Sequence, residues 1–252
     1  VRRGRMERQG LENDRGNERE AEGSPGAAAG FDHPIFTESL RRIHAWLGET
    51  GFRGVEQEVL ERLVHSSGDP ALAPLLRFST GACEAGLAAL SAGTAILTDT
   101  AMAAAAVTPM ARRTFANPVH SVLAWAPAVA PAGSTRAAAG MARALAEHPG
   151  AVVLIGSAPT ALECLIDLTC PSPAHDPMAP GQVAPAPMAP GCVAPALVIG
   201  MPVGFVGVLE SKRRLARSGL AQIRLEGSRG GAGLVGAAAN ALLRHVWLAA
   251  NA

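Results

Sequence analysis

"VVLIGSAPTALECLIDL", Val152 to Leu168, is the stretch that decides the fold. Residues 152–156 are aliphatic at every position and end on glycine. A strand with one wet face would alternate polar and apolar residues. A strand apolar throughout is buried on both faces, as in a parallel sheet covered by helices. Residues 159–168 then take up a helical pattern, so the stretch reads as strand, tight turn, helix.

The same unit repeats outward. "AILTD" (95–99), "ALVIG" (196–200) and "QIRLE" (222–226) are further short aliphatic runs, and "VHSVLAW" (119–125) is a weaker fifth. Helical patterns cover 36–47, 54–66, 82–91, 101–107, 134–147, 159–168, 204–217 and 232–249. Strand–helix alternation implies crossovers that place helices on both faces of one parallel α/β sheet. In such sheets ligands bind beyond the carboxyl ends of the strands. Asp99, Gly156–Ser157, Gly200–Met201–Pro202 and the loop after residue 226 fall there.

Two segments do not fit this scheme. Residues 1–30 hold six arginines against five glutamates and one aspartate, with few large apolar side chains. Such a segment buries too little surface to offset its ordering entropy and is expected to be disordered. Its charged start leads into no apolar core, so no secretory leader is expected there. Residues 171–196 carry a tandem repeat, "PMAPGQVAPA" (177–186) followed by "PMAPGCVAPA" (187–196). Frequent proline excludes helix and makes this an extended insertion between a helix and a strand. The organisation expected is one domain over 31–252, interrupted at about 171–196.

Composition excludes several classes. The 252 residues carry a formal charge of +1, so no strongly basic surface draws the chain to nucleic acid or to an anionic membrane. No apolar run reaches the ~18 residues that span a bilayer, and a cytoplasmic chain is expected. There is no tyrosine, and scarce aromatics argue against base-stacking platforms. Cys83, Cys164, Cys170 and Cys192 form no zinc-spaced pair and read as free thiols. H-E-x-x-H, G-x-S-x-G and a phosphate-loop lysine are all absent.

The candidates that remain are dispersed. "RLVHSSGDP" (62–70) ends a helix: Gly68 takes the left-handed cap and Pro70 cannot continue. His65 therefore lies in the last turn, where the negative end of the macrodipole favours a protonated ring. Two readings stay open, a charge that complements the dipole and an imidazolium poised as a general acid. "EGSRGGAGLVGAAAN" (226–240) contains the G-x-G-x-x-G spacing, but no second strand follows to supply the acidic partner of a dinucleotide site. Its amides, Gly230 and Gly231, with Arg229 beside them, suit an anion at a helix N-terminus, and tight strand–helix packing is the alternative. Arg136, in the first turn of the helix opened by Ser134 or Thr135, sits where the dipole disfavours a cation, which hints at an anionic ligand, with a plain surface arginine as the alternative. "ESKRRLAR" (210–217), with Lys212, reads as a solvated face or a binding face.

Taken together these segments resemble the precorrin-8X methylmutase family of cobalamin biosynthesis. The similarity covers about 33–247 outside the proline insertion. It rests on "HPIFTES", "LVHSSGD", "AGLAALSAGTAILTDTAMAAAAVT", "GSTRAAAG", "VVLIGSAPTAL", "PALVIGMPVGFVGVLESK" and "GSRGGAGLVGAAANALL". The resemblance implies a flavodoxin-like fold, a homodimer with substrate near the subunit interface, and a cofactor-free isomerase moving a methyl group from C-11 to C-12 of a tetrapyrrole. It implies His65 as proton donor. Arg136, Lys212, Arg229 and the Gly230–Gly231 amides are then candidates for the substrate's carboxylates, with Ser39, Thr135, Ser157 and Thr160 as neutral donors and Asp99 at the same strand ends. Two departures stand out: His44 occupies a position often held by arginine, and Ser157 one often held by asparagine. The same shift on the cobalt-containing intermediate and a non-catalytic corrinoid carrier are the rival readings.

Overall fold

The structure is a computed structural model that describes residues 30–170 and 193–252. The expected charged extension (1–30) and proline insertion (171–196) lie outside the described residues, apart from Gly30 and 193–196.

Six strands form one sheet: β1 (Leu76–Phe78), β2 (Ile96–Thr98), β3 (Val119–Ser121), β4 (Val152–Ile155), β5 (Leu197–Gly200) and β6 (Gln222–Leu225). Their order is β1-β6-β5-β4-β2-β3, parallel throughout except for β1, which pairs antiparallel with β6. Without β1, the parallel strands follow the 2-1-3-4-5 order of flavodoxin-like sheets, with the switch point between β2 and β4.

The two faces follow the pleat. Val152, Leu154, Leu197, Ile199 and Ile96 point to one core, while Val153, Ile155, Val198 and Leu97 point to the other, all fully buried. The first core is covered by α1 (Pro34–Leu47), α2 (Val55–Ser67), α3 (Ala82–Ser91), α4 (Ala101–Arg113) and α8 (Ala232–Ala250). The second is covered by α5 (Arg136–Glu147), α6 (Pro159–Thr169) and α7 (Val208–Arg217).

Several boundaries differ from the sequence expectation. Helix α4 runs past residue 107 to Arg113 despite Pro109. Both Pro109 and Ala105, whose carbonyl loses its donor, are exposed, so water replaces the missing bond. Helix α7 starts at Val208 rather than 204, because Gly204 (φ 138) and Gly207 (φ 70) hold a loop open. The weak fifth strand is three residues followed by a 3-10 turn, Val122–Ala124. Strand β1 was not anticipated.

Glycine at the strand ends is a packing requirement. A Cβ on Gly156 would lie 2.7 Å from the backbone of Gly231 and Ala232, and one on Gly230 would lie 1.9 Å from the carbonyl oxygen of Met201. The loop after β6 is thus pressed against the loops after β4 and β5.

Candidate active site

The site is built on the carboxyl rim of the sheet, where hydrogen bonds tie successive loops together. The Val203 amide donates to Gly156 O (3.1 Å), that of Gly204 to Ser228 O (3.2 Å), and that of Gly231 to Met201 O (2.9 Å). Lys212 Nζ fastens the same loop from below, donating to Gly227 O (2.7 Å) and Arg229 O (2.6 Å).

Helix α2 reaches this rim because β1 runs against the other strands. The Leu76 end of β1 faces Leu225, the carboxyl end of β6, so the chain before β1 lies beside the loop after β6. Asp69 makes the connection explicit, with Oδ2 2.8 Å from Arg229 Nη1. The rest of "HSSGD" finishes the helix. Gly68 (φ 68) donates its amide to Val64 O at 2.7 Å, the Ser67 hydroxyl donates to Leu63 O, and Asp69 Oδ1 accepts from the Ala71 amide.

His65, like Ser66, takes no part in that cap. Its ring is exposed, with Nδ1 2.8 Å from the hydroxyl of Ser39 on α1 and Phe36 edge-on at 5.1 Å. Nε2 has no hydrogen-bond partner among the described residues. With the Ser39 hydroxyl donating to Nδ1, a neutral ring carries its proton on Nε2. The dipole argument expected a ring that favours protonation. The opposite direction results: desolvation against its neighbours, then the Arg62 guanidinium one turn back, lower the His65 pKa below the usual histidine value. An open depression of about 520 Å³ begins at Ser39, lined also by Pro34, Ile35, Glu38 and Arg42.

Further along the rim, Thr135 caps α5 by accepting from the Ala138 amide (3.2 Å), and its hydroxyl lies 2.7 Å from that of Thr160 on α6. Arg136 is exposed and donates through Nε to Pro127 O (2.9 Å). Ser157 sits half-buried in the β4–α6 turn, its amide donating to Asp99 Oδ2 (2.6 Å). Ser39 with His65, Thr135 with Thr160, and Lys212 with Arg229 are therefore brought together in pairs.

Three candidates are placed differently from the expectation of ligand contacts. Asp99 is wholly buried, and its Oδ2 also accepts from the Gly156 (3.1 Å) and Ala158 (2.7 Å) amides. It fills the sheet's switch point and caps α6 from inside, so the carboxylate is turned away from solutes. Lys212 is 3% exposed, and burial, then Arg224, push its pKa down to about 8. Two carbonyls already take two of its three donors, which makes it a staple for the 227–229 loop. The Gly231 amide is bonded to Met201 O, so the alternative of tight packing describes this glycine pair. His44, at the departure noted in α1, bonds Glu61 Oε1 through Nδ1 at 2.6 Å. Asp69 was missed as a rim residue. Its signal was an acid following the helix-terminating glycine.

Among the described residues no group of three or more His, Cys, Asp or Glu side chains is placed to hold a metal ion. No helix among them is long and apolar enough to cross a membrane. Cys83, Cys164 and Cys170 are free thiols, whereas Cys192 lies outside the described residues.

Comparison with known proteins places these observations in context. The family model of CbiC, precorrin-8X methylmutase, matches residues 34–179 and 185–245. The chain is 38% identical over 213 residues to a precorrin-8X methylmutase of Pseudomonas aeruginosa, covering 82% of this chain and 93% of the relative. It is 34% identical over 231 residues to a cobalt-precorrin-8 methylmutase of Synechocystis sp., covering 86% and 97% respectively. A crystal structure of precorrin-8X methyl mutase from Thermus thermophilus superposes with a TM-score of 0.70 at 39% identity, covering 85% of this chain and 98% of that one.

Proposed function

The chain belongs to the precorrin-8X methylmutase family, and from that premise we propose that it acts on precorrin-8X, with His65 lending the proton that eases the shift. The protein is an isomerase of cobalamin biosynthesis. In the reaction proposed, one methyl group moves from C-11 to C-12 of the macrocycle and hydrogenobyrinate results. Reactant and product have the same atoms, so no electron acceptor or external nucleophile is consumed.

The observation that carries the role of His65 is its geometry. Ser39 fixes the ring through Nδ1 at 2.8 Å and leaves Nε2 unbonded within the protein, on an exposed ring beside the open depression. In the imidazolium Nδ1–H donates to the Ser39 hydroxyl, and the N–H bond at Nε2 breaks as the proton passes to a ring nitrogen of the substrate, leaving a neutral ring protonated on Nδ1. Electron density is withdrawn from the conjugated system, the methyl group migrates, and the proton returns. A histidine pKa below the usual value makes the protonated ring a stronger acid once formed. Thr135, Thr160, Ser157, Arg136 and Arg229 are proposed to meet the substrate's amphiphilic edge with hydroxyls and cations along the same rim.

A second copy of the chain is proposed to close the site. The depression at Ser39 is open to solvent, and the rim carries large exposed apolar side chains, with Phe205 94% and Val206 88% exposed in the loop after β5. Covering such side chains stabilises an interface. A cytoplasmic location fits a biosynthetic enzyme with no spanning helix among the described residues.

The test is His65→Ala. Turnover of precorrin-8X should fall by roughly 10²–10⁴-fold, the usual contribution of a positioned acid, while hydrogenobyrinate still binds and circular dichroism is unchanged. Unaltered turnover would remove His65 from the mechanism. The second reading, cobalt-precorrin-8 as substrate, is favoured by the likeness to the Synechocystis enzyme. Parallel assays with metal-free and cobalt-loaded substrate separate the two, and stoichiometric binding without turnover would identify a carrier instead.

A further inference from the structure

The run "ESKRRLAR" (210–217) turns one basic side toward a cavity. Leu209, Lys212, Arg213 and Ala216 recur at helical spacing on α7, and with Arg224 of β6 and the following Glu226 they line a space of about 350 Å³. Three basic side chains there face one carboxylate. That carboxylate is already engaged. Glu226 Oε1 accepts from Arg224 Nη1 (3.3 Å), and Oε2 lies 2.9 Å from Arg77 Nη2 on the neighbouring strand. Arg213 reaches only Glu210, 3.9 Å away, with the two side chains 68% and 66% exposed, a pair that water screens. Lys212 has no carboxylate partner among the described residues. It is 3% exposed, two of its N–H groups go to the carbonyls of Gly227 and Arg229, and the third has no acceptor among the described residues. A buried ammonium without a counter-charge is costly. Burial, then the charge of Arg224, hold its pKa down at about 8.

We propose that the cavity between α7 and β6 is a binding site for a phosphate dianion, free or carried as a phosphomonoester, separate from the tetrapyrrole site. Its cations come from two elements, Lys212 and Arg213 from the helix and Arg224 from the strand. A planar carboxylate is satisfied by one guanidinium fork. A phosphate presents three or more acceptor oxygens in different directions and carries about −1.5 to −2 near neutral pH. That charge matches a lining in which a single carboxylate opposes three cations. Leu209 and Ala216 add an apolar wall with room for the organic part of an ester.

The cavity shares no lining residue with the depression at Ser39, so its ligand does not depend on the role of His65. The two places meet through the 227–229 loop. Lys212 holds two carbonyls of that loop, and Arg229 within it pairs with Asp69 just beyond the end of α2. An anion beside Lys212 offsets the cost of burying its charge and thereby stabilises the loop that it holds.

The experiment is calorimetric titration of the full chain with inorganic phosphate and, separately, with glycerol 3-phosphate, at pH 7.5 in a buffer of low chloride. One phosphate per chain should bind with a dissociation constant below ~1 mM, and the thermal midpoint should rise with phosphate concentration. Tighter binding of the ester identifies an organic phosphate as the ligand, and equal or weaker binding identifies the free ion. Arg224→Gln, which removes one charge-assisted bond, should weaken binding by roughly 10- to 100-fold. Arg213→Gln, on an exposed helix face, should weaken it by about 3- to 10-fold. Phosphate should still bind one per chain when hydrogenobyrinate is saturating. One-for-one displacement by hydrogenobyrinate overturns the proposal, because the cations then belong to the tetrapyrrole site. No saturable binding of either probe below ~10 mM overturns it, as does undiminished affinity in a folded Arg224→Gln. Should that variant fail to fold, native affinity in Arg213→Gln overturns it equally.

Discussion

Replacing Asp99 by alanine removes one carboxylate and orphans three amides. In the native chain Oδ2 accepts from Gly156, Ser157 and Ala158 at 3.1, 2.6 and 2.7 Å, with no solvent exposure of the residue. The Gly156 bond is fully buried, so losing its acceptor costs about 1–3 kcal/mol. The other two amides are partly buried, and water entering the space left by the side chain recovers some of their bonding, leaving about 1 kcal/mol each. The favourable alignment of a negative charge with the amino end of α6 contributes a further ~0.5 kcal/mol. The total is about 3.5–5.5 kcal/mol. In a domain of this length one kcal/mol moves the midpoint of thermal unfolding by roughly 2–4 °C, so Asp99→Ala should melt on the order of 10 °C lower. Asp99→Asn keeps one acceptor oxygen without the charge and should lose about half as much. Differential scanning calorimetry, paired with titration of hydrogenobyrinate, reads both consequences. A midpoint within ~2 °C of the native one, combined with a tenfold or greater loss of product affinity, would refute the reasoning. It would return Asp99 to the surface role that its position in the sequence suggested.

Gly230→Ala places a methyl group 1.9 Å from the Met201 carbonyl oxygen, and neither backbone can yield. We expect a loss of at least ~3 kcal/mol in urea unfolding, while Gly233→Ala, with nothing within 4 Å, is neutral or slightly stabilising. Lys212 supplies a pH signature. Its folded pKa, about 8, lies below the ordinary 10.5, so between those values the unfolded chain holds the extra proton and stability rises with pH. Below about 8 both states are protonated and the penalty of a buried ammonium is constant. The neutral amine still has the two N–H groups that Gly227 and Arg229 require. Urea midpoints from pH 7 to 10.5 should therefore climb in the native protein relative to Lys212→Met, and parallel curves would contradict this account.

What the sequence disclosed follows from the range of the interaction involved. The parallel strands β4 and β5 were legible because each is aliphatic on both faces, and β2 nearly so, a pattern complete within five residues, while β6 showed Ile223 and Leu225 alternating with Gln222 and Arg224. Strand β1 was not, since "LRF" is too short to show a period and its partner lies about 150 positions away. Helix ends set by one residue, such as Gly68, were readable. Those set by solvent exposure at Pro109, or by loop glycines at 204 and 207, needed the tertiary structure. At the site, residue types were visible and directions were not. Asp99 sits at the strand end as expected, but only the fold reveals that it faces amides 57–59 positions along the chain. Lys212 looked like part of a solvated helix face until its ammonium met the 227–229 carbonyls. His65 and Ser39 were both singled out, while the bond between them spans 26 positions.

The reversed direction of β1 reaches beyond the sheet. Had that three-residue strand run the other way, Leu76 rather than Phe78 would mark its distant end, and the helix bearing the imidazole would enter the molecule roughly 7 Å from where it does, at ~3.3 Å per residue. The hexapeptide Pro70–Leu75 is thus a ruler. Lengthening or shortening it by one residue would shift the end of the preceding helix, and His65 with it, relative to the strand ends.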